Sequence, residues 1–414
     1  MKQSRDLIRF TNNWDEFSDG LWLDKEFDFS QDFEIKSNKV IVQRSDGKRD
    51  QLPDFIIDAN KINPVNRKIK YAEFSNIEII AWRWSNGSSK SVIINRNNSF
   101  FYEAESRWLD CYPCLDKEAN GHSVIEASIE NTHIIHDKVL FIGGTINPSH
   151  LFGEYLPKLA IIEEPVTVVI FDDANWIREA INYVLPNINI KLIQLNPMNN
   201  LYCTRISLQN CILVEDMLEN LELGLEISRR LISNGINLVL ETSQSVNSIL
   251  PKPKICHLSR LRFEIMVNNQ KTCRDPLRLN RMHNYPEFLG LIKQSGAKIL
   301  FPEIYSLKAM HHYIASANVV ICEYGSLFAH LLINQPFHQR LHSGAAKLLF
   351  LMPKRFLDIN DLYTLSEHRW LKSLNCENMI FLEGYPCLGL PSMEGSNYND
   401  PCIYSESSIA MLRL

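Results

Sequence analysis

The chain has 414 residues, which is more than one hydrophobic core usually supports and predicts two or three domains. Hydrophobic residues make up 45% and charged residues 22% of the sequence, which excludes the composition of a disordered protein. The formal net charge of -5 disfavours nucleic acid and other polyanions as partners. We therefore expect a folded, multidomain protein with no nucleic-acid partner.

The first residues do not have the pattern of a targeting segment. The sequence MKQSRDLIRFTNNWDEF lacks the apolar run of a signal peptide, and no later stretch approaches about 18 uninterrupted apolar residues. The ten cysteines are scattered, and several lie in apolar runs as small buried side chains, which favours a reducing compartment. We expect a cytoplasmic protein, and peripheral association with the inner face of the membrane is compatible with this sequence.

Residues 1–135 carry short apolar or alternating runs broken by polar turns, which is typical of strands. The runs are KVIVQR, FIIDAN, IEIIAWRW and SVIINRNNSFFYEAE. The dipeptide Asn86-Gly87 separates two of these runs and favours a hairpin. The pattern predicts a β-rich N-terminal module.

Residues 136–250 change to alternating strands and helices. Val139–Ile142 and Val166–Phe171 are short continuous apolar runs, as expected of strands buried on both faces of a parallel sheet. A helix is predicted through NWIREAINYVL, a strand over 188–195 and a helix over 217–234. The polar stretch near residue 250 has the composition of a linker.

Residues 251–414 restart the same alternation. Strands are predicted over 254–258, 297–301 and 319–322, and helices over 286–295 and 306–317. Together with the preceding region, this pattern predicts two Rossmann-like α/β lobes.

The first candidate site follows the first strand of the 136–250 lobe. Asn147 suits an N-cap and Pro148 suits the first helical position, so a helix begins at the carboxyl end of a strand, where α/β sheets bind ligands. His150 and Glu154 are four residues apart and share one helical face. Pro157 lacks an N–H group and is expected to kink or end this helix. A surface His–Glu pair on an amphipathic helix is the alternative interpretation.

Basic residues follow a predicted strand end in the second lobe. They come after Ser259 and comprise Arg260, Arg262, Lys271, Arg274, Arg278 and Arg281. Guanidinium groups make paired, charge-assisted hydrogen bonds to phosphate oxygens, so this stretch suits a diphosphate. Solvated loop charge is the alternative.

A third candidate site follows the strand over 319–322. The strand runs through Glu323 and Tyr324 into Gly325 and Ser326, and an apolar helix follows. Glycine at such a turn lets a phosphate or a ribose approach the backbone. A plain strand-to-helix turn is the alternative.

The acidic pair that could suggest a metal is Asp172-Asp173. A DxD metal site separates its two acids by one residue, whereas these two are adjacent. Asp173 also suits a helix N-cap. We interpret the pair as structural and predict no metal site.

Taken in order, these stretches resemble glycosyltransferase family 61. That family has a segment like N-Y-Y-H-W-L-x-E-x-L-P-R-L, and NPSHLFGEYLPKL supplies in register Asn147, His150, Glu154, Leu156, Pro157 and Leu159. The further matches are Ser259-Arg260, Arg281 with Asn284 and Glu287, Pro302-Glu303, and Gly325-Ser326. The resemblance covers about 140 to 335.

The resemblance implies a GT-B architecture, with the acceptor side at 136–250 and the donor side at 251–414. It implies an inverting, metal-independent enzyme that needs no cofactor. The enzyme would move a sugar from a nucleotide-diphosphate donor, a UDP-sugar, to a glycan acceptor in capsule or lipopolysaccharide biosynthesis. Glu154 or His150 would be the catalytic base. The residues implied at the donor are Arg260, Arg262, Arg281, Asn284, Glu303, Gly325, Ser326 and His330.

The chain departs from the residues that are usual in this family at Tyr285, Met310, Tyr324 and His330. These departures keep a catalytically inactive glycan- or nucleotide-binding scaffold open as an alternative. A nucleotide-sugar epimerase, an activity that also occurs on two-lobed folds, is a second alternative. The sequence predicts no oligomeric state.

Overall fold

The computed structural model describes most of both halves of the chain. The described residues are 8–27, 41–43, 46–51, 68–83, 89–97, 100–102, 115–118, 121–145, 147–172, 175–195, 202–217, 221–242, 252–259, 264–267, 270–273, 285–302, 305–323, 325–353, 379–386 and 402–404.

The strands of the described residues are numbered in chain order. They are β1 (Arg9–Thr11), β2 (Leu23–Glu26), β3 (Ile41–Gln43), β4 (Arg49–Gln51), β5 (Lys68–Arg83), β6 (Ser89–Asn95), β7 (Phe100–Tyr102), β8 (Leu115–Glu118), β9 (Gly121–Val124), β10 (Ile129–Gly143), β11 (Thr167–Phe171), β12 (Asn189–Ile193), β13 (Cys203–Val214), β14 (Ile255–Leu258), β15 (Glu264–Val267), β16 (Gln270–Cys273), β17 (Lys298–Leu300), β18 (Val319–Glu323), β19 (Lys347–Pro353), β20 (Met379–Pro386) and β21 (Cys402–Tyr404).

The helices are numbered in the same way. The α-helices are α1 (Trp14–Phe17), α2 (Pro148–His150), α3 (Asn175–Val184), α4 (Leu221–Thr242), α5 (Tyr285–Gln294), α6 (Leu307–Ser316), α7 (Ala329–Leu332) and α8 (Gln335–His342). A π-helical turn spans Leu151–Tyr155, and 3-10 turns span Glu126–Ser128, Leu156–Ile161 and Ser326–Phe328. Within the described segments, no helix combines the length and the apolar character needed to cross a membrane.

The chain divides into two compact units, and the protein is a mixed α/β protein. Unit 1 comprises Met1–Asp28, Asn66–Leu231 and Val267–Gln270. Unit 2 comprises Phe29–Val65, Ile232–Met266 and Lys271–Leu414. Each unit has its own large sheet. The GT-B arrangement of two lobes stays a prediction.

The sheet of unit 1 is mixed and runs in the order β1-β7-β6-β5-β13-β10-β11-β12, with β2 also paired to β5. Strands β13, β10, β11 and β12 are parallel to their neighbours in that series, whereas β5 is antiparallel to β13. The predicted boundary between a module at 1–135 and a lobe at 136–250 therefore differs from the structure, since it falls inside β10. The reason is that β5, an alternating strand of the N-terminal region, pairs directly with β13 of the lobe.

Two central strands of this sheet change register along their length. The pairing of β10 with β13 shifts between Ile135 and Lys138, where one extra residue of β10 forms the pattern of a bulge. Residues from both sides of the bulge, including Ile135 and Val139, share one buried cluster with Ile79 and Phe171. The hairpin of β5 and β6 is tied to the carboxyl end of β10, because the hydroxyl of Ser89 donates to the carbonyl of Gly144 over 2.8 Å.

The sheet of unit 2 runs in the order β17-β14-β18-β19-β20-β3-β4, and β21 pairs with β20. Its first six strands are parallel, and the N-terminal strands β3 and β4 close one edge. From β14 the chain goes first to β17 on one side and then to β18 on the other. The gap between β14 and β18 is therefore the topological switch point, where open α/β sheets bind ligands at the carboxyl ends of their strands.

The helices of unit 2 bury two histidines. His311 in α6 is 4% exposed, His330 in α7 is 1% exposed, and their ring centroids lie 6.3 Å apart. Burial lowers the pKa of His311 from 6.5 to about 4. Burial, helped by the neighbouring His311, lowers the pKa of His330 to about 3. Both rings are neutral at pH 7 in the folded protein.

This buried pair predicts an acid-sensitive unit 2. Between about pH 6.5 and pH 4 the unfolded chain binds protons at both histidines that the folded chain does not, so stability falls as the pH falls. We expect each histidine to contribute a slope of about 1.4 kcal/mol per pH unit to the free energy of unfolding. The measurement is urea unfolding between pH 7.5 and 4.5.

His311→Leu should make the free energy of unfolding depend less steeply on pH, because the variant lacks one of the two buried rings that take up a proton on unfolding. The exposed His342 at the end of α8 provides the control, and His342→Gln should leave the slope unchanged. A slope in His311→Leu equal to that of the wild type would contradict this account.

Candidate active site

The first candidate site is built where β10 ends and α2 begins. The backbone of Gly143 has φ +88°, a conformation that favours glycine, and an added Cβ would lie 3.2 Å from Cε1 of Tyr155. Asn147 is the N-cap, since its Oδ1 accepts a hydrogen bond from the backbone N–H of Ser149 over 3.0 Å. Pro148 is the first helical residue. The predicted helix start at the carboxyl end of a strand is confirmed.

The predicted pair of His150 and Glu154 forms on this helical segment. Nδ1 of His150 contacts Oε1 of Glu154, and the side chains are 32% and 10% exposed, respectively. Glu154 is buried as a residue, and its neighbours Leu151 and Phe152 are fully buried. The interpretation of the pair as an ordinary surface contact is therefore wrong for Glu154. Burying a carboxylate is costly unless a partner compensates for it, and His150 is that partner.

A π-helical turn follows His150 and contains Glu154. The N–H of Leu156 donates to the carbonyl of Leu151, five residues back, and Pro157 has no N–H to donate. We predicted that Pro157 would kink or end the helix. Instead the segment widens before the proline and continues as a 3-10 turn to Ile161. Single π-turns inside helices are frequent at functional sites.

Helix α4 supports the carbonyls that the π-turn leaves without their usual helical donors. The hydroxyl of Ser228 donates to the carbonyl of Phe152 over 2.7 Å. The carbonyl of Gly153 packs against Gly224, where an added Cβ would lie 1.7 Å from that oxygen. Gly224 and Ser228 are four residues apart and share one face of α4. The sequence analysis did not identify them, although a glycine inside a helical pattern is a signal of close packing.

Lys158 lies four residues after Glu154 in the same segment. Its ammonium lies over the ring of Tyr155, 5.2 Å from the centroid. Burial lowers the pKa of Lys158, and the carboxylates of Asp216 and Glu154 act in the opposite direction. The sequence analysis did not single out this lysine. The buried carboxylate of Glu154 therefore has a basic side chain near it.

Asp172, at the carboxyl end of β11, has a structural role. Its carboxylate pairs with the guanidinium of Arg83 and accepts a hydrogen bond from the backbone N–H of Leu195 over 3.0 Å. The two bonds tie Asp172 to the last residue of β5 and to the backbone that follows β12. This arrangement agrees with the structural interpretation of Asp172, whereas Asp173 lies outside the described residues.

The second candidate site lies at the switch point of unit 2. Ser259 follows β14, and its hydroxyl donates to Oε1 of Glu323, the last residue of β18, over 3.3 Å. Nε2 of His257 lies 3.3 Å from the same oxygen. Gly325 follows with φ +120°, a conformation that favours glycine. The sequence analysis missed His257. The available signal was that His257 is the one polar residue in an otherwise apolar strand.

The other residues predicted at the donor site fall into two groups. Ser326 begins a 3-10 turn directly after Gly325, whereas His330 lies in the core of unit 2 with its ring against His311. The remaining predicted residues lie outside the described part of the chain, and they are Arg260, Arg262, Arg281, Asn284 and Glu303.

Comparisons with known proteins give no family assignment. No family model matches the sequence, and no curated protein matches it either. Among solved structures, the chain is similar to an iron-containing dodecameric glycosyltransferase, TibC, of enterotoxigenic E. coli. The match has 7% sequence identity and a TM-score of 0.25, and it covers 69% of this chain and 75% of that one. A TM-score of this size carries no argument about fold or activity.

Proposed function

We propose that the chain is an inverting glycosyltransferase of the GT-B type that moves a sugar from a nucleotide-diphosphate donor to a glycan acceptor. The observation that carries the proposal is the buried Glu154 in contact with His150 at the carboxyl end of β10. That position is where α/β sheets bind ligands. The ordered motifs that resemble glycosyltransferase family 61 include this same pair.

The proposed chemistry needs a base and a group that stabilises the leaving diphosphate. Glu154 takes the proton of the acceptor hydroxyl while the acceptor oxygen forms a bond to the anomeric carbon. The bond between the anomeric carbon and the donor phosphate oxygen breaks, and the nucleotide diphosphate leaves with the electron pair. His150 orients the carboxylate through the contact between Nδ1 and Oε1.

The leaving diphosphate is assigned to unit 2 in this proposal. Arg260, with Arg262 and Arg281, supplies fixed positive charge, because guanidinium groups bind phosphate oxygens in pairs. The glycine turn at Gly325 allows a ligand to approach the backbone closely. The proposed enzyme uses no cofactor and no metal ion. The proposal also includes a cytoplasmic location and a role in capsule or lipopolysaccharide synthesis.

The test is turnover of a panel of nucleotide sugars with and without glycan acceptors. A transferase releases nucleotide diphosphate faster when the right acceptor is present. An epimerase changes the donor sugar at a rate that ignores the acceptor, and a binding scaffold turns over nothing. The second or third outcome would replace the proposal with the corresponding alternative.

A further inference from the structure

Two carboxylates and an ammonium group lie at one edge of the unit 1 sheet. Strands β10 and β13 are parallel neighbours, so their carboxyl ends lie at the same edge. Gly143 is the last residue of β10, and Asp216 lies two residues beyond the end of β13. The segment that contains Glu154 and Lys158 begins shortly after β10. The topology therefore brings Asp216 to the edge of the sheet where Glu154 and Lys158 lie.

An aromatic ring holds the ammonium of Lys158 at the end of β10. The ring of Tyr155 lies against Gly143, where an added Cβ would be 3.2 Å from Cε1 of the ring. Nζ of Lys158 lies over the same ring, 5.2 Å from its centroid, and the face of a tyrosine ring attracts a cation. Lys158 is a half-buried residue. This contact places its positive charge at the edge of the sheet, beside the π-turn.

The charges that act on Lys158 among the described residues are two carboxylates. Burial lowers the pKa of Lys158, and the carboxylates of Asp216 and Glu154 act in the opposite direction. The attraction is mutual, so the ammonium favours the ionised form of each carboxylate. Burial favours the neutral form of a carboxyl group, and Glu154 is buried. The ionised form of Glu154 therefore depends on positive charge nearby.

His150 and helix α4 carry other basic side chains around the π-turn. The imidazole of His150, which contacts Oε1 of Glu154, is positively charged only when it is protonated. On α4, which packs against the π-turn, Arg229 and Arg230 both pair with Glu226. Lys158 is thus the candidate for the positive charge that Glu154 needs.

We propose that Lys158 is a positioning residue, whose ammonium keeps the carboxylate of Glu154 ionised and ready to take the proton of the acceptor hydroxyl. Asp216, at the end of the neighbouring strand, stabilises the charged form of Lys158. This inference rests on the proposed function, because it presupposes that Glu154 is the base. A base acts only in its deprotonated form, so Lys158 sets the lower end of the pH range in which the enzyme works.

The experiment measures kcat/KM for sugar transfer between about pH 5 and pH 9 in the wild type, Lys158→Met and Lys158→Arg. Methionine keeps an unbranched side chain and removes the charge. We expect the acid limb of the Lys158→Met profile to lie about one pH unit or more above that of the wild type, because a nearby opposite charge changes the proton affinity of a carboxyl by about 10-fold or more. At the acid end the variant is then about 10-fold less active, and at the alkaline end it approaches the wild type. Lys158→Arg keeps the charge and should restore the wild-type profile.

A second lysine provides the matched control. Nζ of Lys138 pairs with the exposed Glu73 and Glu164, and Lys138→Met should keep the wild-type pH profile. Thermal unfolding shows whether each variant folds, and Lys158→Gln replaces Lys158→Met if the methionine variant does not.

Three results for Lys158 would overturn this inference while the proposed function stands. The first is a Lys158→Met profile equal to that of the wild type. The second is a profile that is lowered by the same factor at every pH, which indicates a loss of packing only. The third is a Lys158→Arg profile shifted as far as that of Lys158→Met. Absence of transfer by the wild type with every donor and acceptor of the panel would overturn the proposed function, and this inference with it.

Discussion

Replacing Glu154 by glutamine is expected to lower kcat by on the order of 10²–10⁴ while the affinity for the donor stays nearly unchanged. Glutamine has almost the same shape as glutamate, but it cannot accept the proton of the acceptor hydroxyl. The side-chain amide of the glutamine can occupy the buried place of the Glu154 carboxylate, in contact with His150. Steady-state transfer kinetics, with donor affinity measured separately by calorimetry, give the two quantities.

The controls for this variant use a second glutamate and the histidine partner. Glu163→Gln changes an exposed residue whose Oε1 pairs with Nζ of Lys25 at 2.9 Å, and it should leave kcat unchanged. His150→Ala should reduce kcat by less than Glu154→Gln if the imidazole only orients the carboxylate. Normal turnover in Glu154→Gln together with loss in His150→Ala would make His150 the base. Normal turnover in both would show that the segment is structural.

Gly224→Ala is expected to destabilise unit 1 by about 1–3 kcal/mol or more, because a Cβ at this position would overlap the carbonyl oxygen of Gly153. The overlap is with backbone at 1.7 Å, so a side-chain rotation cannot relieve it. Alanine favours a helix over glycine by only about 1 kcal/mol, which is too little to offset the clash. We expect the thermal unfolding midpoint to fall by about 5 °C or more.

The chain offers the same substitution in a helix that has room for it. Gly290 lies in α5, and no atom lies within 4 Å of an added Cβ there. Gly290→Ala should therefore stabilise the protein by up to about 1 kcal/mol. The two variants thus have opposite expected signs in one thermal unfolding experiment. An unchanged or raised midpoint in Gly224→Ala would show that α4 does not hold the π-turn in place.

Local signals in the sequence were enough to predict many of the elements. The N-cap at Asn147 and the helix start at Pro148 are confirmed. Helix α6 occupies Leu307–Ser316, where a helix over 306–317 was predicted, and β18 follows at the predicted position. These features depend on capping chemistry and on the period of apolar residues, which act within a few positions of one another.

Pairing between distant strands could not be predicted in the same way. Strand β13 lies between β5 and β10, although its sequence CTRISLQNCILV was not identified as a strand. Strand β3 pairs with β20, near the other end of the chain. The preference of a strand for a partner depends on packing with residues far away in sequence, and the period of apolar residues within one strand does not indicate that partner.

The packing around Glu154 could not be predicted from local signals in the sequence, for a related reason. The spacing of His150 and Glu154 predicted that their side chains would meet, because four residues make about one helical turn. It did not predict the π-turn. That turn depends on Pro157 from within the segment and on Gly224 and Ser228 from a helix that is distant in sequence.

The position of β13 also constrains how the protein is made. During synthesis β5 and β10 leave the ribosome before β13, yet β13 is the strand that joins them. Until β13 emerges, β5 and β10 each have an unpaired edge, and aggregation of newly made sheets begins at such edges. Pairing in unit 2 is delayed further, because β3 is made among the first of the described strands and its partner β20 is made among the last. A nascent chain of this protein therefore keeps an unpaired strand edge in unit 2 until β20 has been made.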